Sequence, residues 1–196
     1  MGQIILLVSL LLSYSNDDSI IQTVNDYCED KKRRTFEEII YVSVKEQKMY
    51  YISNNTIIKT YPVSTAKKGV GNIKNSDKTP HGLHYIKEKI GDKTPINGRM
   101  IGRVFYGQIA TIYNDTTTSK TDDITSRILW LSGYEKDVNK GGNVDSYERY
   151  IYIHGTSEEG KIGTPASHGC IRMLNKDVIE LYTMTKFGTK VLILDN

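Results

Sequence analysis

Cysteine and proline are scarce in this sequence. Its 196 residues include two cysteines, Cys28 and Cys170, and four prolines. Two cysteines cannot form the disulfide framework that holds small secreted folds together. A chain of this length buries enough apolar surface to fold without one, and its length is typical of a single domain. Each thiol therefore needs an explanation of its own.

An excess of charge of one sign is also missing. Lys and Arg number 26 against 23 Asp and Glu, which leaves a net charge of +3. This excess is too small and too dispersed to form the basic patch that nucleic-acid binding requires. The sequence therefore predicts no nucleic-acid partner.

Only one long apolar run is present, from Ile4 to Leu12. It is too short to span a bilayer as a helix but matches the core of a signal peptide, although no basic residue precedes it. Ser13 and Ser15 supply the small residues of a cleavage site. We therefore interpret residues 1–15 as a signal peptide or N-terminal anchor. The predicted location is the periplasm or cell envelope, with residues 4–12 as a membrane tether if they are not cleaved.

The N-terminal segment, residues 16–38, is predicted to be helical. Ser19 and Gln22 fit a capping box at the start of a helix that runs to Glu38. Cys28 falls on the apolar face of this helix together with Ile20 and Val24. The interpretation of Cys28 is therefore a small core residue rather than a reactive thiol.

From residue 39 onward the apolar pattern changes to a period of two, which is typical of strands. A helix that Asn175 can cap interrupts the pattern near the end, and Gly188 stops it. No composition change divides the chain, so residues 39–196 are predicted to form one domain. It is expected to be mostly β, a β-sandwich or half-open barrel with one or two short helices. The predicted strands are residues 39–44, 48–52, 56–64, 83–88, 108–113, 127–132, 149–155 and 189–194.

The segment YIHGTSEEGKIGTPASHGCIRM, residues 152–173, combines two histidines with Cys170. A thiol attacks only as the thiolate, so it needs a basic or cationic neighbour, and His154 and His168 are both available. The glycines between them allow the chain to fold back on itself. Complete ionisation would gain only about 2 kcal/mol, so most of any rate enhancement must come from elsewhere.

Backbone amides are the expected source of that enhancement. Gly169 frees the backbone beside Cys170 for close approach to a substrate carbonyl, whose developing oxyanion two N–H groups could stabilise. Arg172 can present a planar guanidinium to a substrate carboxylate.

Structural explanations exist for the same residues. His154 could be a core histidine, His168 could pack beneath the loop, and Ser167 could bond its own backbone in a turn. Arg172 could pair with a carboxylate such as Asp177. His81 and His84 suggest a two-histidine metal site, but two ligands are weak evidence, so we interpret them as structural and predict no metal.

This segment resembles the signature of the L,D-transpeptidase catalytic domain, in which a histidine precedes a Ser-His-Gly-Cys motif. The resemblance extends from about Ile39 to Leu194 and includes the stretches KTPHG and RILWLSG. It implies the β-rich fold of that family, with Cys170 as the nucleophile and His154 as the general base, oriented by the carbonyl of Gly155. It also implies that Ser167 and His168 shape the site, that the N–H groups of Gly169 and Cys170 form the oxyanion hole, and that Arg172 helps to bind substrate.

The resemblance implies a peptidoglycan enzyme that needs no cofactor. Cys170 would attack the third residue of a tetrapeptide stem, release D-alanine, and transfer the acyl group to an amine to form a 3→3 cross-link. Carbapenem-type inhibitors are expected to acylate Cys170. Three alternatives remain open: an L,D-carboxypeptidase on the same stems, a sortase-like transpeptidase, and a peptidoglycan-binding module without activity. A papain-like order, with cysteine before histidine, does not fit.

Overall fold

A computed structural model describes residues 16–196 of the chain. The predicted signal peptide or anchor, residues 1–15, and the tether at residues 4–12 lie outside the described residues. By their contacts, the residues divide into an N-terminal unit that ends at Thr35 and a second unit, Phe36–Asn196. Within the described range, no helix has both the length and the apolar character needed to cross a membrane.

The N-terminal unit contains helix α1, Asn16–Asp30. Ile20, Val24 and Cys28 share one face of it, as predicted. The predicted boundaries were wrong: Ser19 lies inside the helix, where its carbonyl accepts a hydrogen bond from Thr23 Oγ1 at 2.9 Å. The helix ends before a basic run in which Lys32 has a left-handed backbone with φ of 51°. A non-glycine residue in that conformation cannot continue a right-handed helix, which is why the segment does not reach Glu38.

The second unit is built on one mixed sheet of ten strands. Eight of them follow the order β3-β2-β1-β10-β4-β7-β5-β6, and β8 joins β7 on one side and β9 on the other. The pairs β1–β10 and β8–β9 are parallel. The strands are β1 Glu38–Ser43, β2 Lys48–Ser53, β3 Thr56–Pro62, β4 Gly82–Ile90, β5 Gly98–Ile101, β6 Val104–Ile109, β7 Ile124–Gly133, β8 Tyr152–Thr156, β9 Ile171–Met173 and β10 Lys190–Leu194.

The one α-helix of this unit, α2 Asn175–Met184, packs against the sheet. Its Val178 and Leu181 belong to the main apolar core, together with residues of β1, β7, β8, β9 and β10. Asn175 does not cap α2, because the N-cap position is Leu174. The Asn175 side chain is buried instead, and its role is described with the site below. The predicted mostly β class, with one or two short helices preceded by an N-terminal helix, is confirmed.

Four strands differ clearly from the prediction. β5 and β9 were not predicted, since four and three residues are too short to show a period of two. The predicted strand 108–113 is wrong in position, because β6 ends at Ile109. The predicted strand 149–155 starts too early, since Arg149 and Tyr150 lie in a turn and Tyr150 has a left-handed φ of 57°.

His84, on β4, is a structural residue, as predicted. It is fully buried, with Nδ1 2.9 Å from the Gly82 carbonyl oxygen and Nε2 2.9 Å from Ser146 Oγ. Both ring nitrogens are therefore occupied by protein partners. Burial lowers the pKa of His84 from 6.5 to about 4. No group of three or more potential metal-ligating residues is found among residues 16–196.

Acid should destabilise the fold through this histidine. With its pKa depressed in the folded state, protonation favours the unfolded state, so the stability present at pH 7 is lost as the pH falls from 6.5 toward 4. The full loss is roughly 3 kcal/mol for one such group. In urea unfolding at pH 7 and pH 5, the His84→Gln variant should lose less stability on acidification than wild type. Equal losses in the two proteins would contradict this assignment.

Candidate active site

The two site strands, β8 and β9, run parallel to each other. Ile153 is paired with Ile171, and His154 with Arg172. Because side chains alternate along a strand, the two isoleucines point into the main apolar core, where both are fully buried. His154 and Arg172 therefore point to the opposite face. Cys170, one residue before β9, points to that face as well and packs against a second, smaller apolar cluster, which contains Tyr152. The alternation places the sulfur and the imidazole on one face of the sheet.

His154 is held in one tautomer by its neighbour. Its Nδ1 lies 2.6 Å from the carbonyl oxygen of Gly155. A carbonyl can only accept, so Nδ1 carries the proton and Nε2 is left with its lone pair. The ring is 2% exposed, and burial lowers its pKa to about 4. The Nε2 atom is therefore an unprotonated base at neutral pH.

The Cys170 sulfur lies in a polar contact with the backbone of the neighbouring strand. The Tyr152 N–H donates to Sγ at 3.3 Å, and the thiol donates to the Tyr150 carbonyl at 3.3 Å. Burial raises the pKa of the thiol to about 11; the Tyr152 N–H and nearby arginines act against this shift. The free site is therefore a neutral thiol beside a neutral imidazole, because burial disfavours the charged form of both groups.

The sulfur and the imidazole share a cavity. Its volume is about 140 Å³, and its lining includes His154, Cys170, Asp122, Arg149 and Tyr150. A nucleophile and a base that face the same small cavity are the arrangement that thiol acyl transfer requires.

The pH dependence of alkylation tests the protonation state of this pair. Since the thiol pKa is raised to about 11, the rate of Cys170 alkylation by iodoacetamide should rise about tenfold per pH unit from pH 7 to pH 9. The rate is measured by mass spectrometry of the peptide that contains Cys170. A rate that is already constant below pH 7 would instead indicate a preformed thiolate–imidazolium pair.

Hydrogen bonds fix the loop before the cysteine. Ser167 Oγ donates to the Cys170 carbonyl at 2.6 Å and accepts from the Gly169 N–H at 3.2 Å. Gly169 has a φ of 132°, which favours glycine. The predicted oxyanion role of the Gly169 and Cys170 amides stays a prediction. For this role the Gly169 N–H would have to exchange Ser167 Oγ for a substrate oxygen.

The segment that follows β3 pairs with the same loop. Ser64 and Arg172 exchange backbone hydrogen bonds at 2.9 Å in both directions, and the N–H of Lys67 donates to the Ser167 carbonyl at 3.0 Å. The Thr65 carbonyl accepts from the N–H groups of Ala166 and Ser167, each at 2.9 Å. This pairing holds the cysteine loop from its outer side.

Arg172 is buried between two carboxylates. The residue is 2% exposed, its Nη1 donates to Glu158 Oε2 at 2.9 Å, and its Nη2 donates to Asp122 Oδ1. Asp177, the partner suggested from sequence, is not the one it uses. These two partners already balance the guanidinium charge. A direct contact of Arg172 with substrate stays a prediction.

His168 stands at the mouth of the site. Its side chain is 71% exposed, and Nδ1 lies 2.8 Å from Asp122 Oδ2. The alternative in which His168 packs beneath the loop is therefore wrong. Through Asp122, His168 and Arg172 form one hydrogen-bonded network in the lining of the cavity.

Several residues of the site were missed in the sequence. Asp122 and Glu158 lie in irregular segments, and Arg149 sits in a turn where its guanidinium donates to the carbonyls of Gly71, Asn72 and Lys78. Nothing in their local sequence separates them from other surface charges. Only the fold brings them to the cysteine.

The site role of Asn175 was also missed, because the sequence suggested only a helix cap. Its side chain supports the segment that follows His154. Its Oδ1 accepts from the hydroxyls of Thr125 and Ser126 at 2.6 Å, and its Nδ2 donates to the Thr156 carbonyl at 2.8 Å. A Cβ on Gly155 would lie 2.6 Å from Asn175 Oδ1. The glycine after the histidine is therefore needed for space, and Asn175 holds the carbonyl of Thr156, the residue that follows Gly155.

Comparisons with known proteins agree with this geometry. The family model of the YkuD type, described as the L,D-transpeptidase catalytic domain, matches residues 37–193. The Bacillus subtilis protein YqjB, whose name assigns it to the L,D-transpeptidases, is 48% identical over 100 residues, which cover 40% of this chain and 57% of YqjB. YkuD of the same organism, named likewise, is 45% identical over 60 residues, which cover 28% of this chain and 37% of YkuD.

A solved structure shares the fold. The avibactam carbamoyl enzyme of Ldtfm matches with a TM-score of 0.51 and 17% identity, over 83% of this chain and 50% of that one. The chain thus spans 37% to 57% of the length of these three relatives.

Proposed function

Because this chain belongs to the family of the L,D-transpeptidase catalytic domain, we propose that it is an acyl transferase acting on peptidoglycan stem peptides, with Cys170 as nucleophile and His154 as general base. The observation that carries the proposal is the cavity lined by both side chains, in which the Gly155 carbonyl leaves His154 Nε2 free to accept a proton. The remaining roles follow from the contacts around this pair.

The first step forms a thioester. As Cys170 Sγ attacks the carbonyl carbon of the third stem residue, its proton passes to His154 Nε2, and the carbonyl oxygen takes up negative charge. Transfer during attack fits the raised pKa of the thiol and the lowered pKa of the imidazole, because neither ion is stable alone. Collapse of the intermediate breaks the peptide bond, and His154 returns the proton to the nitrogen of the departing D-alanine.

The second step resolves the thioester. An amine of a neighbouring stem attacks the thioester carbonyl, His154 takes a proton from that amine, and Cys170 leaves and is reprotonated. The product is a 3→3 cross-link. Water in place of the amine gives the L,D-carboxypeptidase reaction with the same residues. Thiol acyl transfer of this kind needs only a nucleophile, a base and oxyanion donors from the protein.

Inhibition is expected from the same chemistry. One structural relative has been solved as an avibactam carbamoyl enzyme. We propose that β-lactams of the carbapenem type likewise acylate Cys170 of this protein. The proposed stem-peptide substrate also requires a location outside the cytoplasm, in the periplasm or cell envelope.

Product analysis tests the proposed function. Purified protein is incubated with disaccharide-tetrapeptide muropeptides, and the products are read by mass spectrometry. Loss of D-alanine together with dimer formation supports transpeptidation, whereas loss of D-alanine without dimers supports the carboxypeptidase reaction. Unchanged muropeptides that nevertheless bind would favour a binding module and overturn the enzymatic proposal.

A further inference from the structure

A second, larger cleft lies beside the loop that connects β6 and β7. Its volume is about 680 Å³, within the range of about 300–1,000 Å³ that is usual for ligand sites. Residues from the end of β6, from β5 and from the connecting loop line it, including Arg99, Gln108, Tyr113, Thr117 and Asp123. The catalytic cysteine and histidine do not line it.

The lining is rich in hydroxyl groups and planar polar groups. Thr111, Tyr113, Thr117, Thr118 and Ser119 all contribute to it. Hydroxyls can both donate and accept hydrogen bonds, so this surface matches a ligand that also presents many hydroxyl and amide groups. Few large apolar side chains face the cleft, which makes it a poor match for an apolar peptide side chain.

The planar groups are held in place before any ligand binds. Arg99 Nε lies 2.6 Å from Asp123 Oδ1, and Arg99 Nη1 donates to Gln108 Oε1 at 3.2 Å. The ion pair neutralises two of the three charged residues of the lining, and the third, Lys120, is exposed to solvent, so a strongly charged ligand gains little there. The fixed row of guanidinium, amide and carboxylate reduces the side-chain ordering cost of binding a neutral polar ligand.

A continuous wall joins this cleft to the catalytic cavity. Thr118 and Ser119 line both the cleft and a neighbouring pocket of about 430 Å³. That pocket also includes Asp122, His168 and Arg172, which line the catalytic cavity. A ligand that reaches Cys170 can therefore extend past the connecting loop into the cleft.

We propose that this cleft binds the saccharide to which the stem peptide is attached. The proposal rests on the proposed function, because it assigns a subsite to the glycan part of the same substrate. The stem would reach Cys170 while an uncharged N-acetylated sugar occupies the cleft. Hydrogen bonds from Gln108 and the loop hydroxyls would then hold the sugar and position the stem.

Paired substrates test the subsite. The kcat/KM is measured for a free tetrapeptide stem and for the same stem on its disaccharide, with wild type and with the double variant Gln108→Ala/Thr117→Val. Wild type should prefer the disaccharide form, and the variant should lose about tenfold of that preference, as the loss of two hydrogen bonds implies, with the free stem unaffected. The control variant Lys48→Ala/Thr60→Val, at the opposite end of the sheet, should behave as wild type.

Two outcomes would overturn the saccharide site. One is a wild-type enzyme without preference for the disaccharide form. The other is a variant that loses activity equally on both substrates, which would indicate that the cleft binds peptide. If neither substrate is turned over, the proposed function fails, and calorimetric titration of Cys170→Ala with the stem-free disaccharide decides the subsite alone. Binding that Gln108→Ala/Thr117→Val weakens supports the site, and no binding overturns it.

Discussion

Replacement of Cys170 by alanine should abolish D-alanine release from tetrapeptide stems. The thiol is the nucleophile of the proposed first step and the leaving group of the second, and removal of a nucleophile costs about 10⁴-fold or more in kcat. The other cysteine, Cys28, lies in α1 of the N-terminal unit. It is not among the residues that line the cavity of Cys170 and His154.

The matched control is Cys28→Ser. This variant also removes one thiol, and it should keep the turnover of wild type. His154→Gln should resemble Cys170→Ala in turnover while leaving the Cys170 thiol present for alkylation. A Cys170→Ala protein that still releases D-alanine at more than a few per cent of the wild-type rate would contradict the assignment of the nucleophile.

Arg172→Met should destabilise the protein by about 3–5 kcal/mol. The change keeps most of the side-chain volume but removes the charge that lies between Glu158 and Asp122. The Glu158 side chain is only 3% exposed, so its carboxylate would lose one of its two cations in a buried site and keep only Lys161, at 3.1 Å. Breaking a buried pair from one side has this cost because the remaining carboxylate is not solvated by water and the Lys161 contact replaces only part of the lost interaction.

Urea unfolding at pH 7 measures the effect. Lys59→Met is the control, since Lys59 pairs with Glu180 at 2.7 Å on the surface with both side chains more than two-fifths exposed. That variant should lose less than about 1 kcal/mol. The triple variant Arg172→Met/Glu158→Gln/Asp122→Asn should recover part of the lost stability. An Arg172→Met protein as stable as wild type would show that the buried network contributes little.

The parts of the fold that could be predicted are those with a local signal. The strands that became β1, β2, β4, β7 and β10 show apolar residues at a period of two or in short runs, and α2 shows a helical period. β9 carries no such signal, because its three residues gain their strand conformation from pairing with β8. Pairing between distant segments cannot be read from one segment alone.

The residues of the candidate site also fall into those that the sequence could predict and those that it could not. His154, Gly155 and Cys170 could be predicted because thiol chemistry demands a base and because the motif around them resembles a known family. Asp122 could not, since it follows a polar loop and acquires its meaning only when Arg172 and His168 reach it. Asn175 was predicted to cap a helix, and its side chain instead donates to the Thr156 carbonyl, because buried polar groups bond wherever the fold offers partners.

The neutral resting state has a consequence for catalysis. A thiol with a pKa raised to about 11 reacts slowly with general electrophiles, which protects Cys170 from oxidation in the free protein. Activation then depends on the substrate, whose carbonyl accepts electron density as the proton moves to His154. In the proposed mechanism, stabilisation of the oxyanion by backbone amides supplies most of the rate enhancement.

The most direct test of the account is to trap the covalent intermediate. The protein is mixed with a tetrapeptide stem, quenched in acid within the first turnover, digested, and examined by mass spectrometry. The account predicts that the peptide containing Cys170 gains the mass of the stem without its terminal D-alanine, and that His154→Gln does not form this adduct on the same timescale. An acyl group found on another residue, or D-alanine released with Cys170 unmodified and alkylatable throughout, would contradict it.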